Sequence, residues 1–315
     1  MKRPSRLAEI AAAAGVSTAT VSRALKRPEL VNEVTRAAVI RAAEQAGYDT
    51  PAQTAAERGL LGTIGLVVPD IENPFFSVLT KAVLQELRRS GTSLIVADTN
   101  EEPLGEGEIV GTMLPRVDGL IVASSRLGEA EIAELATSKP MVLVNREIEG
   151  IPSVVIDYSP GCRQAVEHLA ALGHERIAYV EGPAMSWSNR QRRQSFEREM
   201  AELGLTPMFF GPYAPQFEGG VQAADIALAK GITAIVAYND LMAFGIMSRL
   251  ASRGVGVPDR LSVIGFDDVP AASIWSPPLS TVTVSTSATG RLAAQAAQRM
   301  IAGKGGGTKL SRRLL

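Results

Sequence analysis

Two kinds of apolar spacing divide this chain. Up to residue 47, apolar positions recur three and four apart, the period of a helix. Leu7, Ile10, Ala11 and Ala14 form one apolar face. Gly15 is suited to the left-handed conformation that ends a first helix. Ser17 is placed to cap a second, on which Val21, Ala24 and Leu25 face inward. Pro28 marks a loop. Asn32 then caps a third helix over 33–46, with Val34, Ala38, Ile40 and Ala42 or Ala43 inward, and Gly47 ends it. From Thr63 onward the apolar residues come in short continuous runs instead. Ile64-Gly65-Leu66-Val67-Val68, Leu94-Ile95-Val96-Ala97, Gly119-Leu120-Ile121-Val122-Ala123, Met141-Val142-Leu143-Val144 and Val154-Val155-Ile156 read as strands. Helical stretches such as 75–89 intervene. The pattern repeats with helices over 162–172, 190–203 and 241–253 and strands at Ile177-Ala178-Tyr179-Val180, Ala234-Ile235-Val236-Ala237 and Leu261-Ser262-Val263-Ile264-Gly265. Continuous apolar strands alternating with helices imply parallel sheets covered on both faces. Two such sets imply two doubly wound lobes. Residues 48–61, broken by Pro51, Gly59 and Gly62 just beyond, read as a linker. The expected fold is therefore α/β, with an all-α helix-turn-helix headpiece at its N-terminus.

The outward face of the second helix carries Thr18, Ala19, Ser22 and Arg23. Two short helices about a glycine turn, the second polar outside, match a motif whose second helix lies in a DNA major groove. An ordinary alanine-rich helical hairpin shares the pattern. In the lobes, polar residues follow the strands: Asp70 and Asn73, Ser124 and Ser125, Asn145 and Arg146, Asn239 and Asp240, Asp267 and Asp268. Ligands of parallel sheets sit beyond the carboxyl ends of the strands. Amides, carboxylates and guanidinium groups there, with Phe75, Phe76, Trp187 and Tyr213 nearby, suit a polyhydroxylated ring. Asn and Asp are equally good helix caps, so each taken singly reads either way.

Composition narrows the classes. At 315 residues with 46% hydrophobic and 21% charged side chains, the chain builds two or three domains and is not disordered. The net charge is −1, and the small basic excess of the first fifty residues does not by itself announce a nucleic-acid binder. A single cysteine, Cys162, rules out an internal disulfide and fits a reducing compartment. Lys2, Arg3 and Arg6 before an alanine-rich run faintly mimic a signal peptide, but Glu9 interrupts it, and no apolar run spans a membrane. A cytoplasmic location is expected. There is no phosphate loop, nucleophile elbow or metal-ligand spacing. His168 and His174, six apart around a helix end, read as structural, and the chain is expected to be no enzyme and to need no cofactor or metal.

Over nearly its full length the chain resembles the lactose-repressor/galactose-repressor family of bacterial transcription regulators. The resemblance rests on Leu7-Ala8-Glu9-Ile10-Ala11, Ala14-Gly15-Val16-Ser17 and Thr20-Val21-Ser22-Arg23, then Ala46-Gly47-Tyr48. It continues through Asn73-Pro74-Phe75-Phe76, Val117-Asp118-Gly119, Leu172-Gly173-His174 and Gly265-Phe266-Asp267-Asp268. It implies a headpiece over 1–47, a hinge over 48–61 and a periplasmic-binding-protein-like effector and dimerisation domain over 62–315. Within that domain the N-lobe covers about 62–157 and 284–311 and the C-lobe about 158–283. It implies a homodimer on a near-palindromic operator, controlled by a small effector between the lobes. Carried over by position, Thr18, Ala19 and Arg23 contact bases, while Ser17, Thr20, Asn32 and Thr35 contact phosphates. Asn73, Phe75, Asn145, Arg192, Asn239 and Asp267 contact effector, with Trp187 and Tyr213 as ring-stacking groups.

Three departures stand out. The hinge, at Ala52, Ala55, Ala56 and Glu57, puts an acidic residue, which DNA repels, where the family inserts a leucine into the minor groove; Leu60 or Leu61 substitutes for it only with a shifted hinge. Val284-Ser285 replaces a glutamine-proline pair. At Arg312-Arg313-Leu314-Leu315 the family's final strand is still to come, which leaves either a C-lobe without its closing strand or an incomplete sequence. The expected function is repression of a carbohydrate-utilisation operon under control of a sugar. A binding protein without a DNA role, or a regulator sensing a purine or another metabolite, is the alternative.

Overall fold

The computed structural model describes residues 6–26, 30–46, 60–303 and 311–314. Helices α1 (Arg6–Ala14), α2 (Thr18–Lys26) and α3 (Glu33–Gln45) form the first unit. Gly15 between α1 and α2 sits at φ +65°, a conformation open to glycine. Ser17 Oγ accepts from the Thr20 amide at 3.1 Å and Asn32 Oδ1 from the Thr35 amide at 2.8 Å, so both cap their helices. Ile10, Val21, Ala24, Val39, Ala42 and Ala43 make the shared core. The spacing turns Val34 inward, but it is 80% exposed while Val39 is fully buried. Five residues separate them, about 140° round an α-helix, so one face cannot hold both. The side of α3 that meets α1 and α2 is the one carrying Val39, Ala42 and Ala43.

Two parallel sheets follow. The first runs in the order β11-β5-β4-β3-β1-β2. It comprises β1 (Thr63–Val68), β2 (Ser93–Asp98), β3 (Gly119–Ala123), β4 (Met141–Val144), β5 (Ser153–Ile156) and β11 (Ser311–Leu314). The second runs β10-β9-β8-β6-β7, from β6 (Ile177–Val180), β7 (Met208–Phe210), β8 (Ala234–Ala237), β9 (Ser262–Asp267) and β10 (Ser280–Thr283). Each neighbouring pair is parallel. Helices α4 (Pro74–Arg88) and α12 (Thr286–Ile301) pack together on one face of the first sheet. α5 (Pro103–Met113) and α6 (Glu129–Ser138) carry the apolar side chains of its other face. α7 (Ser159–Ala171) and α8 (Trp187–Glu202) cover one face of the second sheet; α9 (Phe217–Ala229), α10 (Asp240–Ser252) and the short α11 (Ala271–Ile274) pack in the cluster of the other. The chain crosses between sheets from β5 to α7 and returns from β10 to α12. One apolar cluster continues through both lobes, from Phe75 and Leu79 to Phe196 and Phe266.

Three expectations change. The run Leu94-Ile95-Val96-Ala97 reads as a strand covered on both faces, yet β2 has only β1 beside it, and Ile95 and Val96 are 37% and 40% exposed. The strands β7 and β10 escape a reading by pattern: one, Met-Phe-Phe, is only three residues long, and the other reads Ser-Thr-Val-Thr. Residues 311–314 form a strand that pairs with β5 in the first sheet, rather than beside β10 in the second. At the entry to the first lobe, the amides of Leu61 and Thr63 donate to the Asp118 carboxylate at 2.8 and 3.0 Å, which anchors the chain as it leaves the linker.

Candidate functional site

On the headpiece, Thr18, Ala19 and Arg23 lie exposed on α2, with Ala19 and Arg23 one turn apart. Ser17 and Asn32 are also exposed, and their side-chain oxygens are engaged as caps. Thr20 and Thr35 are half-buried at the starts of α2 and α3, where the helix dipole favours anions although their own amides are held by those caps. The hinge positions Ala52, Ala55, Ala56 and Glu57 lie outside the described residues.

Between the lobes, the carboxyl ends of the strands from both sheets converge on one cavity. The first lobe contributes Asn73, Phe75, Phe76, Glu101, Ser124 and Asn145. Tyr158, Ser188, Arg192, Pro215, Tyr238, Asn239 and Asp267 come from the crossover and the second lobe. Of the eight expected effector residues, the structure brings six together. Trp187 and Tyr213, expected to stack on a ring, lie outside the lining. Trp187 is the first residue of α8 and is buried in the apolar core. Tyr213 is partly buried against the apolar cluster of the second lobe. The rings at the cleft are instead Phe75 and Phe76, edge to face at 5.1 Å, with Tyr158 and Tyr238.

The amides hold the cleft's frame as well as line it. Asn73 Oδ1 accepts from the Phe75 amide and caps α4. Asn239 Oδ1 caps α10 through the Met242 amide, and its Nδ2 donates to Pro215 O at 2.8 Å. Asn145 Oδ1 accepts from the Ile156 amide. Capping and lining are thus one arrangement, because a strand end and a helix start meet there.

Arg192 is the hub of the second lobe's side. It is 3% exposed, and its Nη2 donates to Asp267 Oδ1 at 3.1 Å while Nη1 donates to Tyr238 O. The guanidinium carbon lies 4.3, 4.9 and 4.6 Å from the ring centres of Tyr158, Tyr238 and Phe266, a cation held among aromatic faces. Burial works against its charge, yet Asp267 and the tyrosines raise its pKa above the ordinary value. Burial pushes the Asp267 carboxyl up to about 6 against the pull of Arg192. Asp240 is pushed up to about 7 by burial, with Asp267 adding to it, though it accepts from Thr281 Oγ1 at 2.6 Å and from the Val269 amide at 2.8 Å.

Glu101, Tyr158, Ser188 and Tyr238 were not singled out from the sequence. Tyr158 and Tyr238 obey the strand-end rule, two residues after β5 and one after β8. Glu101 lies three residues beyond β2, in the polar run Asp98-Thr99-Asn100-Glu101-Glu102. Backbone strain marks the same places. Among the described residues, the non-glycine positions of positive φ are Asn100, Glu101, Ser124, Asn145, Asp267 and Asp268, all at the ends of β2, β3, β4 and β9. Each costs about 1 kcal/mol or more and persists where the surroundings over-determine it. His174 has a structural role: its Nδ1 and Nε2 each lie 3.0 Å from a hydroxyl, those of Thr233 and Ser262. No cluster of metal-ligating side chains occurs among the described residues, and no described helix is long and apolar enough to cross a membrane.

Comparison with known proteins agrees at both ends of the chain. Residues 6–51 match the family of bacterial regulatory proteins, lacI family, and residues 166–315 match the periplasmic binding protein-like domain. The transcriptional regulator GalS of Salmonella typhimurium is 33% identical, over 94% of this chain and 89% of that protein. A crystal structure of the lac repressor dimer bound to operator and the anti-inducer ONPF superposes with a TM-score of 0.72 at 26% identity, over 99% of this chain and 96% of the other. A complex of the transcriptional regulator CelR with cellobiose gives a TM-score of 0.71 at 27% identity, over 99% and 97% of the two chains.

Proposed function

We propose a ligand and a role for this chain, which belongs to the lacI family of bacterial regulatory proteins: it represses a carbohydrate-utilisation operon, and a sugar bound between its lobes changes its grip on DNA. Membership makes it a DNA-binding transcription regulator with an effector-binding domain, and not an enzyme. The observation that carries the finer reading is the convergence of Asn73, Asn145, Arg192, Asn239 and Asp267 beside Phe75 in one interlobe cavity. These groups supply paired donors and acceptors for hydroxyls and an apolar face for a ring. CelR's complex with cellobiose, at 27% identity over nearly the whole chain, supports the same ligand class. The Phe75–Phe76 pair would serve the flat ring of a purine as well, and that is the competing effector.

In this reading residues 1–47 are the DNA-binding headpiece, 48–61 the hinge and 62–315 the effector and dimerisation domain. Arg23 reads a guanine edge, Thr18 and Ala19 make lighter base contacts, and Ser17, Thr20, Asn32 and Thr35 hold phosphates. The protein acts in the cytoplasm as a homodimer on a near-palindromic operator, as half-site spacing requires of paired headpieces. The effector binds one arrangement of the lobes better than the other and so shifts the dimer between DNA-competent and DNA-incompetent states. The test is a gel shift of the pure protein on its own upstream region, with and without candidate sugars and nucleobases. A specific, salt-sensitive complex that a sugar alters is the expected result. No specific complex with any intergenic segment would overturn it.

A further inference from the structure

We propose that Glu101, held in place by Arg126, is an effector contact that selects uncharged, hydroxyl-rich ligands and rejects anionic ones. The inference rests on the reading of the interlobe cavity as the effector site. Glu101 lines that cavity from the first lobe, on the loop after β2. Arg126 grips it from behind in a fork: Nε donates to Oε2 at 3.0 Å and Nη2 to Oε1 at 2.9 Å. Arg126 is itself 3% exposed and tied down twice more, its Nη1 donating to Ser124 O at 2.7 Å and its amide to Glu106 Oε2 at 2.8 Å. Such a planar fork fixes a carboxylate's orientation as a lysine could not. Glu101 is held at φ +56°, a strained backbone that aims the side chain inward.

The charges on the cleft are committed in pairs. Glu101 is bound to Arg126, and across the cleft Asp267 is bound to Arg192. Each carboxylate keeps lone pairs for hydroxyl protons, since an ionised carboxylate offers about four acceptor sites. Arg192 Nε is buried without a partner among the described residues, and the charge of the guanidinium is met by Asp267. A phosphate or carboxylate on the ligand would instead meet two carboxylates and no uncommitted lining cation. Arg146, beside Asn145, lies outside the lining and turns its Nη1 to Ser125 O.

The experiment measures ligand affinity by calorimetry and thermal shift on the full chain. The probes are D-galactose, D-ribose, cellobiose and adenosine, each against a charged counterpart: galacturonate, ribose 5-phosphate, cellobionate and adenosine 5′-phosphate. The wild type is expected to bind at least one neutral probe, and its anionic counterpart at least tenfold more weakly. In Glu101→Gln the neutral probe weakens by about tenfold, the scale of a charge-assisted hydrogen bond, and the discrimination against the anion falls with it. In Glu101→Asp the charge stays but the reach shortens, so affinity drops while the anion is still rejected. This pair of variants separates recognition from a structural role, which would weaken both ligands in parallel. A wild type that prefers the anion, or a Glu101→Gln protein with unchanged affinity and unchanged discrimination, overturns the inference alone. Binding of no probe, neutral or charged, overturns it together with the sugar reading.

Discussion

At the scale of the residue, buried charge is the strongest feature of the cleft. Asp240 and Asp267 have carboxyls raised to about 7 and about 6 by burial, whereas an unfolded aspartate titrates at about 4. The folded chain therefore binds these protons more tightly than the unfolded chain. Their contribution to stability is fullest below about pH 4 and is lost as pH rises through about 7. The melting temperature of Asp240→Asn should accordingly fall less steeply between pH 5 and 7 than that of the wild type. An unchanged slope would remove Asp240 as its source. Arg192 sits at the opposite extreme, a permanent cation among three rings. Arg192→Ala should abolish the effector response in a gel shift while sparing operator binding, because it removes the partner of Asp267 and touches no part of the headpiece. On the headpiece, Arg23→Ala should lower operator affinity by roughly 1–3 kcal/mol and leave binding to random DNA nearly unchanged. Equal losses on both would count against a base contact.

At the scale of the element, the second lobe depends on two glycines facing each other's helices. A Cβ on Gly220 of α9 would lie 1.9 Å from Met242 O, and one on Gly245 of α10 would lie 1.9 Å from Phe217 O. The helices thus approach backbone to backbone. Gly245→Ala gains about 1 kcal/mol of helix propensity, but overpacking costs about 1–3 kcal/mol, and contact with a rigid carbonyl belongs at the top of that range. A lower melting temperature is the expected outcome; a higher one would show that α9 and α10 can slide apart. Neither glycine could be recognised from spacing, since each sits inside an ordinary helical run.

At the scale of the whole molecule, the lobes are drawn together. The cavity between them is about 20 Å³, close to the room one water needs. On the proposed reading a sugar, far larger than that, enters only if the lobes part. The exposed Ile95 and Val96 on β2, with Val78 on α4, leave an apolar edge on the first lobe. An edge strand left apolar invites pairing or burial against another chain. Val96→Glu should halve the mass seen in sedimentation and weaken operator binding; a dimer of unchanged stability would place the interface elsewhere.

How much of this could be read beforehand follows from the range of the forces involved. Helix and strand identities, the glycine turn, the caps at Ser17 and Asn32 and the polar residues at strand ends are local, set by spacing and backbone preference within a few residues. They made the headpiece, the two lobes and the strand-end residues Asn73, Ser124, Asn145, Asn239 and Asp267 of the cleft legible, whereas Arg192, inside α8, was carried over from the family resemblance alone. Val34 and Val39 differ by a rotation about one helix, and only contact with α1 and α2 decides which faces in. Trp187 and Tyr213 are aromatic in the right neighbourhood, yet one is taken up in the apolar core and the other packs against the cluster of the second lobe. Glu101 became a candidate only when Arg126, 25 residues on, reached it. The sequence by itself determined which groups stand at the ends of the strands, because that placement follows from the order of elements along the chain. Which of them meet, which charges pair and how tightly the lobes close were decided by tertiary structure. Those outcomes depend on distances between segments far apart in sequence, which no local period encodes.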